Sequence, residues 1–110
     1  MKSLKEKIEM NIRHDKGGQR FVTNVQGGDA HILYRRGPNN SYDLYATYVP
    51  TESRGQNIAD QLVREALRVA KNDKVQIIAS CPYVASWFKK HPEENRILSK
   101  ESGDSIIQVF

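Results

Sequence analysis

The chain has 110 residues, 38% hydrophobic and 27% charged, with 17 Lys and Arg against 13 Asp and Glu for a net charge of +4. That length holds one compact domain, and the balance excludes a disordered or membrane-embedded class. The basic excess suits a protein that handles anions but is too diffuse, without clustered cations and exposed aromatics, for a nucleic-acid binder.

The opening MKSLKEKIEMNIRH has no apolar centre of a secretory leader. No apolar run approaches the ~18 residues of a membrane span. The single cysteine, Cys81, allows no internal disulfide and points to a reducing compartment, so a cytoplasmic location is expected. The charged first dozen residues read as a frayed or extended lead-in. FVTNV (Phe21 to Val25) reads as a strand and Gly27-Gly28-Asp29 as a turn. Ala30 to Arg36 is a second strand, Gly37-Pro38-Asn39-Asn40 a turn, and Tyr42 to Val49 a third strand. Three strands on short turns make an antiparallel meander. Ile58, Ala59, Leu62, Val63, Ala66, Leu67 and Ala70 then recur at three- and four-residue spacing, which predicts an amphipathic helix over 56–72. Val75 to Ser80 is a compact apolar strand of the covered, central kind. Pro82 opens a second helix that ends before His91-Pro92, and Ser105 to Phe110 forms a late strand. Strand, helix and strand over 42–80 form a βαβ unit with parallel strands. The expected architecture is α/β (α+β), one domain over 1–110 with a mixed sheet and helices packed on it.

Arg54-Gly55-Gln56-Asn57 stands between the third strand and the helix, where no core contact calls for it. A helix begins with four backbone N–H groups lacking partners, and its dipole leaves partial positive charge there. A loop curling round that end can present several N–H groups to a phosphate. Gly55 would keep the approach open, and Arg54 would add a planar fork of donors. Thr51, Ser53 and Asn57 are also ordinary N-cap residues, so capping alone is the plain alternative. The loop lacks GxxxxGK[ST] and the first strand lacks GxGxxG, which disfavours a P-loop and a dinucleotide fold.

The run VPTESRGQNIADQLV resembles the acetyl-CoA signature R/Q-x-x-G-x-G/A of the GNAT acetyltransferase superfamily, with Arg54, Asn57 and Ala59 at the signature positions. TYVP (Thr47 to Pro50) and CPYV (Cys81 to Val84) are similar to a subfamily of very small GNAT-like proteins. That subfamily includes the vertebrate N-acetyltransferase domain-containing proteins. The resemblance runs from about Arg20 to Ile97. It implies a transferase that moves an acetyl group from acetyl-CoA to an amine acceptor, either a small molecule or a protein or peptide amine. Coenzyme A would be held by the backbone of Arg54, Gly55, Gln56, Asn57, Ile58 and Ala59, by the splayed strand end at Tyr48 and Val49, and beside Pro82 and Tyr83. The thioester would point at Cys81.

The sequence departs from that pattern at three places. Asn57 stands where the superfamily has glycine, and asparagine is the next residue most tolerant of left-handed backbone. Ala46 stands where small relatives carry a histidine, and Lys89 where larger enzymes carry an acid tyrosine. These departures favour the alternative of a CoA-binding or interaction module with little catalysis.

Cys81 follows an apolar strand and precedes a helix N-terminus, a setting that favours thiolate. It could form an acetyl-cysteine or protonate the leaving sulfur, or be a small buried hydrophobe. His31 reads as an ordinary sheet residue, His14 and His91 as solvated, Asp43 and Glu52 as surface charge. Tyr83 and Trp87 read as a packing pair, and Lys89-Lys90 as a complement to a helix C-terminus. Three scattered histidines and one cysteine make no metal site.

Overall fold

The computed structural model describes residues 11–99. The strand expected at Ser105 to Phe110 lies outside the described residues. Five strands form one sheet in the order β1-β2-β3-β4-β5. They are β1 (Arg13–Asp15), β2 (Arg20–Val25), β3 (Gly28–Arg36), β4 (Tyr42–Tyr48) and β5 (Ile77–Ala79). The first four are antiparallel neighbours, and β5 runs parallel to β4. The helices are α1 (Ile58–Asp73) and α2 (Pro82–Lys90), followed by a 3-10 segment, Pro92–Ile97. The mixed sheet and its βαβ unit are the α+β architecture expected.

The β2–β3 hairpin turns on Gln26 and Gly27, since Val25 already pairs with Gly28. Gly27 has φ +96, and a Cβ there would stand 2.9 Å from the Pro50 Cβ, so both conformation and crowding demand glycine. The turn is therefore tighter than Gly27-Gly28-Asp29. Strand β1 has no counterpart in the sequence reading, because three residues show no period. It is held by rungs Arg13↔Val22, His14↔Phe21 and Asp15↔Arg20.

The face of β2, β3 and β4 carrying Phe21, Ile32, Tyr34 and Leu44 meets the apolar side of α1. Leu62, Val63 and Ala66 of that helix are fully buried. Burying each Leu- or Val-sized side chain stabilises the fold by about 1.5–3 kcal/mol. Phe88, Val84 and Trp87 of α2 join the same core. At its far end α1 closes on Lys74, left-handed at φ 60, whose N–H reaches the carbonyls of Ala70 and Lys71.

Packing corrects the expectations for two polar residues of the sheet. His14 is half-buried rather than solvated; its ring stacks on Phe21 at 4.5 Å and its Nε2 meets the Tyr34 hydroxyl at 2.7 Å. Asp43 is a buried carboxylate rather than surface charge, and accepts from Arg35 Nε at 3.0 Å. Both sit on strands whose neighbours cover them, and local polarity does not report that.

Candidate functional site

The site is made where β4 and β5 part. They pair at Tyr42↔Ile77, Asp43↔Ile78 and Leu44↔Ala79, and the last contact is the Cys81 N–H donating to the Leu44 carbonyl at 2.8 Å. On the other side of β4 the register slips between Leu33↔Ala46 and Tyr34↔Leu44, leaving Tyr45 as the extra residue of a bulge. A bulge bends its strand and steepens the local twist. Here it falls one residue after the last β4–β5 rung, so β4 turns away while the chain after β5 enters α2. Beyond Leu44, β4 has no partner strand on that side among the described residues.

A cleft of ≈470 Å³ opens beside this gap. Thr47, Tyr48 and Val49 form one wall, Arg54, Gly55, Asn57, Ile58 and Ala59 the head, and Tyr83 the opposite side, with Ser53 and Asp60 completing it. Most of the residues predicted to hold the coenzyme thus come together. Gln56 and Pro82 are exposed and do not line the cleft. Cys81 lies beneath it, 4% exposed, with its Sγ 3.3 Å from Thr47 Oγ1. Tyr48 and Tyr83 are 47% and 39% exposed, high for aromatic residues and in keeping with a surface that awaits a partner.

At the head of the cleft the backbone is unusual at two positions. Gly55 adopts φ +82 and Asn57 φ 62, ψ 24, both left-handed. The Asn57 side chain makes no capping hydrogen bond to α1. The first N–H that closes a helical turn is that of Gln61, on Asn57 O at 3.2 Å; those of Gly55, Gln56, Asn57, Ile58 and Ala59 donate to no described residue. Arg54 departs from expectation: its N–H is used on the Thr51 carbonyl at 3.2 Å, and its Nε on the Val49 carbonyl at 2.8 Å. Its side chain therefore braces the end of β4, leaving only its terminal nitrogens for a ligand. Thr51 and Ser53, the capping candidates, belong instead to a 3-10 turn, Thr51–Ser53. The buried Ser53 hydroxyl donates to the Gln26 carbonyl at 2.8 Å, so the β2–β3 hairpin props the cradle loop from below.

Three contributors were not among the predicted site residues: Thr47, Ser53 and Asp60. Thr47 was legible as the first residue of TYVP and Ser53 as a capping candidate, and nothing local says that Thr47 faces Cys81. Asp60 accepts from Trp87 Nε1 at 2.7 Å and from Arg64 Nε at 3.0 Å. Burial raises the Asp60 carboxyl, but those two donors outweigh it and hold it below the usual carboxylate range. Burial first, and then the Asp60 charge, push the Tyr83 phenol up. Trp87 does not pair with Tyr83 as expected; its ring meets Phe88 edge-on at 5.2 Å and His91 face-on at 3.9 Å, so His91 is half-buried rather than solvated. Lys89 and Lys90 occupy the last turn of α2. His31 is a mid-strand residue tilted beside Tyr48, 5.8 Å between ring centroids.

A parallel strand–helix–strand unit, a bulged strand that opens a gap and a helix mouth at its head make up this cleft. The family model described as GCN5-related N-acetyl-transferase matches residues 20–97, and the chain belongs to that family. It is similar to Protein NATD1 of Homo sapiens, 26% identical over 92 residues that cover 82% of this chain and 81% of that protein. It is also similar to Protein NATD1 of Danio rerio, 27% identical over 85 residues (76% and 77% of the two chains). Protein NATD1 of Gallus gallus is 26% identical over 91 residues, 81% and 83% of the two chains. No helix among the described residues is long and apolar enough to cross a membrane.

Proposed function

We propose that the chain is a single-domain N-acetyltransferase that uses acetyl-CoA to acetylate an amine. The observation that carries this reading is the row of N–H groups at Gly55–Ala59 that donate to no described residue, set at the head of a cleft whose wall residue Thr47 touches the buried Cys81. The residues present fit the coenzyme: the helix mouth is open, Gly55 has no atom within 4 Å of a Cβ position, and no carboxylate there lacks a donor.

Bound there, the coenzyme would supply an acetyl thioester. The backbone N–H groups of Gly55, Gln56, Asn57, Ile58 and Ala59 would donate to its pyrophosphate, with the terminal nitrogens of Arg54 adding charge. The free side of β4 at Tyr48 and Val49 would take the amides of the pantetheine arm, with Tyr83 on the facing side. The Val49 N–H donates to no described residue and serves as the donor for the oxyanion. The acceptor must arrive neutral, and a free lysine amine of pKa ~10.4 is almost wholly protonated at neutral pH. As the amine nitrogen bonds the acetyl carbon and the carbon–sulfur bond breaks, Cys81 would give its thiol proton to the departing sulfur, and the proton released by the acetylated nitrogen would return to Cys81 through solvent. The hydroxyl of Thr47 keeps the Cys81 thiol oriented. The short chain leaves an open groove, which suits a small amine or a protein or peptide amine lying across it, in a reducing, cytoplasmic setting.

Titration with coenzyme A, followed by amide NMR, should shift residues 49, 54–59 and 81–83 most. Turnover of an amine panel by wild type and C81A tests the chemistry. Saturable binding without transfer to any amine would assign the chain to the CoA-binding module instead.

A further inference from the structure

A second groove, ≈530 Å³, runs on from the cleft along the outer side of α1 and shares Asn57 and Asp60 with it. Ile12, Gln61, Arg64, Glu65 and Arg68 line the rest of it. Arg64 is the notable residue. Its Nε is fixed on Asp60 Oδ2 at 3.0 Å, its guanidinium carbon lies 5.4 Å from the Trp87 ring centroid, and its side chain is still 53% exposed. Asp60 is held in turn by Trp87 Nε1 at 2.7 Å. An acidic residue beside an anion cradle would repel its ligand; here both carboxylate oxygens are occupied, one by the very cation they position. The terminal nitrogens of Arg64 remain for a second anion.

The spacing suits a ligand with two anionic groups. Arg64 lies seven residues beyond Asn57, about 10 Å along the helix axis at 1.5 Å per residue, and its side chain leans back toward the N-terminus. That places the guanidinium about one helical turn from the cradle. We propose that Arg64, held by Asp60 and Trp87, binds the 3′-phosphate of coenzyme A, with the adenosine lying in the groove along α1. The inference rests on the coenzyme reading above and extends it to a part of the molecule that reading does not use. Arg68, one turn further on, is closed bidentately on Glu65 at 3.0 and 2.6 Å and takes no part.

The test is calorimetric titration of wild type, R64Q and R68Q with coenzyme A and with 3′-dephospho-coenzyme A. Both variants change exposed side chains, and their amide spectra check that the fold is kept. Wild type should bind coenzyme A about tenfold more tightly than the dephospho form, the scale of one charge-assisted contact. R64Q should lose that preference by weakening coenzyme A alone, and R68Q should keep it. Equal binding of the two coenzymes by wild type overturns the Arg64 site while the cradle reading stands. So does an R64Q that weakens both alike, or an R68Q that loses the preference as R64Q does, since either marks a general charge effect. Failure of both coenzymes to bind removes both readings.

Discussion

Thr47 Oγ1 lies 3.3 Å from Cys81 Sγ, a side chain of β4 meeting the residue that opens α2 just past the last β4–β5 rung. The thiol is buried and faces a hydroxyl across the gap, an arrangement that orients a proton. Replacing Cys81 with alanine should lower kcat by ~10²-fold, the lower range for loss of a positioned acid, with coenzyme affinity little changed. Thr47→Val should lower kcat by a smaller factor and leave KM for the coenzyme alone. Steady-state rates with any accepted amine decide this, and an unimpaired C81A would make Cys81 a packing residue.

Asn57 carries a left-handed backbone, φ 62, that most side chains resist by ~1–2 kcal/mol. Asn57→Ala should therefore destabilise the fold by about 1 kcal/mol in urea titration. Asn57→Gly should keep stability and strengthen coenzyme binding severalfold, because the side chain beside the phosphates is gone. Weaker binding by the glycine variant would show that the asparagine itself contacts the ligand.

Ser53 links the cradle loop to the hairpin turn at Gln26. Ser53→Ala removes a buried hydroxyl donor and should cost about 1 kcal/mol of stability. It should also loosen the loop, seen as coenzyme affinity falling more than in a variant of equal stability loss placed elsewhere. Equal affinities at matched stability would mean that the loop holds its shape unaided.

His14 titrates below its ordinary value of 6.5, first because burial disfavours the imidazolium and then because Lys16 is near. The unfolded chain thus binds a proton before the folded one does. Stability is complete above the unfolded pKa of ~6.5 and falls as pH drops from there through the lower folded value. Burial lowers His31 too, so His14→Gln should remove part of that slope. Urea midpoints taken across pH 7.5 to 5, above the range where Asp15, Asp60 and Asp73 protonate, measure it. An unchanged slope in H14Q would place the titration elsewhere.

The βαβ unit was legible because its hydrophobic period changes from two to 3.6 and back at Pro50 and Asn72-Asp73, where turn chemistry agrees. Helix boundaries shifted by a residue or two: 56–72 became Ile58–Asp73, since Gln56 and Asn57 belong to the cradle. The tolerance of asparagine for left-handed backbone at position 57 was also legible, being a property of one residue. Strand β1, the burial of His14 and the bulge at Tyr45 were not. Each depends on which neighbour a strand meets, and pairing leaves no local period when the strand is three residues long or slips by one.

What the sequence by itself determined is the order of elements, the parallel crossover and a glycine-bearing turn at a helix mouth. These follow from periodicity and from the conformational range of single residues. What only the tertiary structure decided is which groups share the cleft: Thr47 with Cys81, Asp60 with Trp87 and Arg64, and Arg54 spent on the end of β4. The physical reason is that hydrogen bonds between residues distant in the chain are chosen by packing. Packing is settled by how all the elements fill space together, which no short stretch of sequence records.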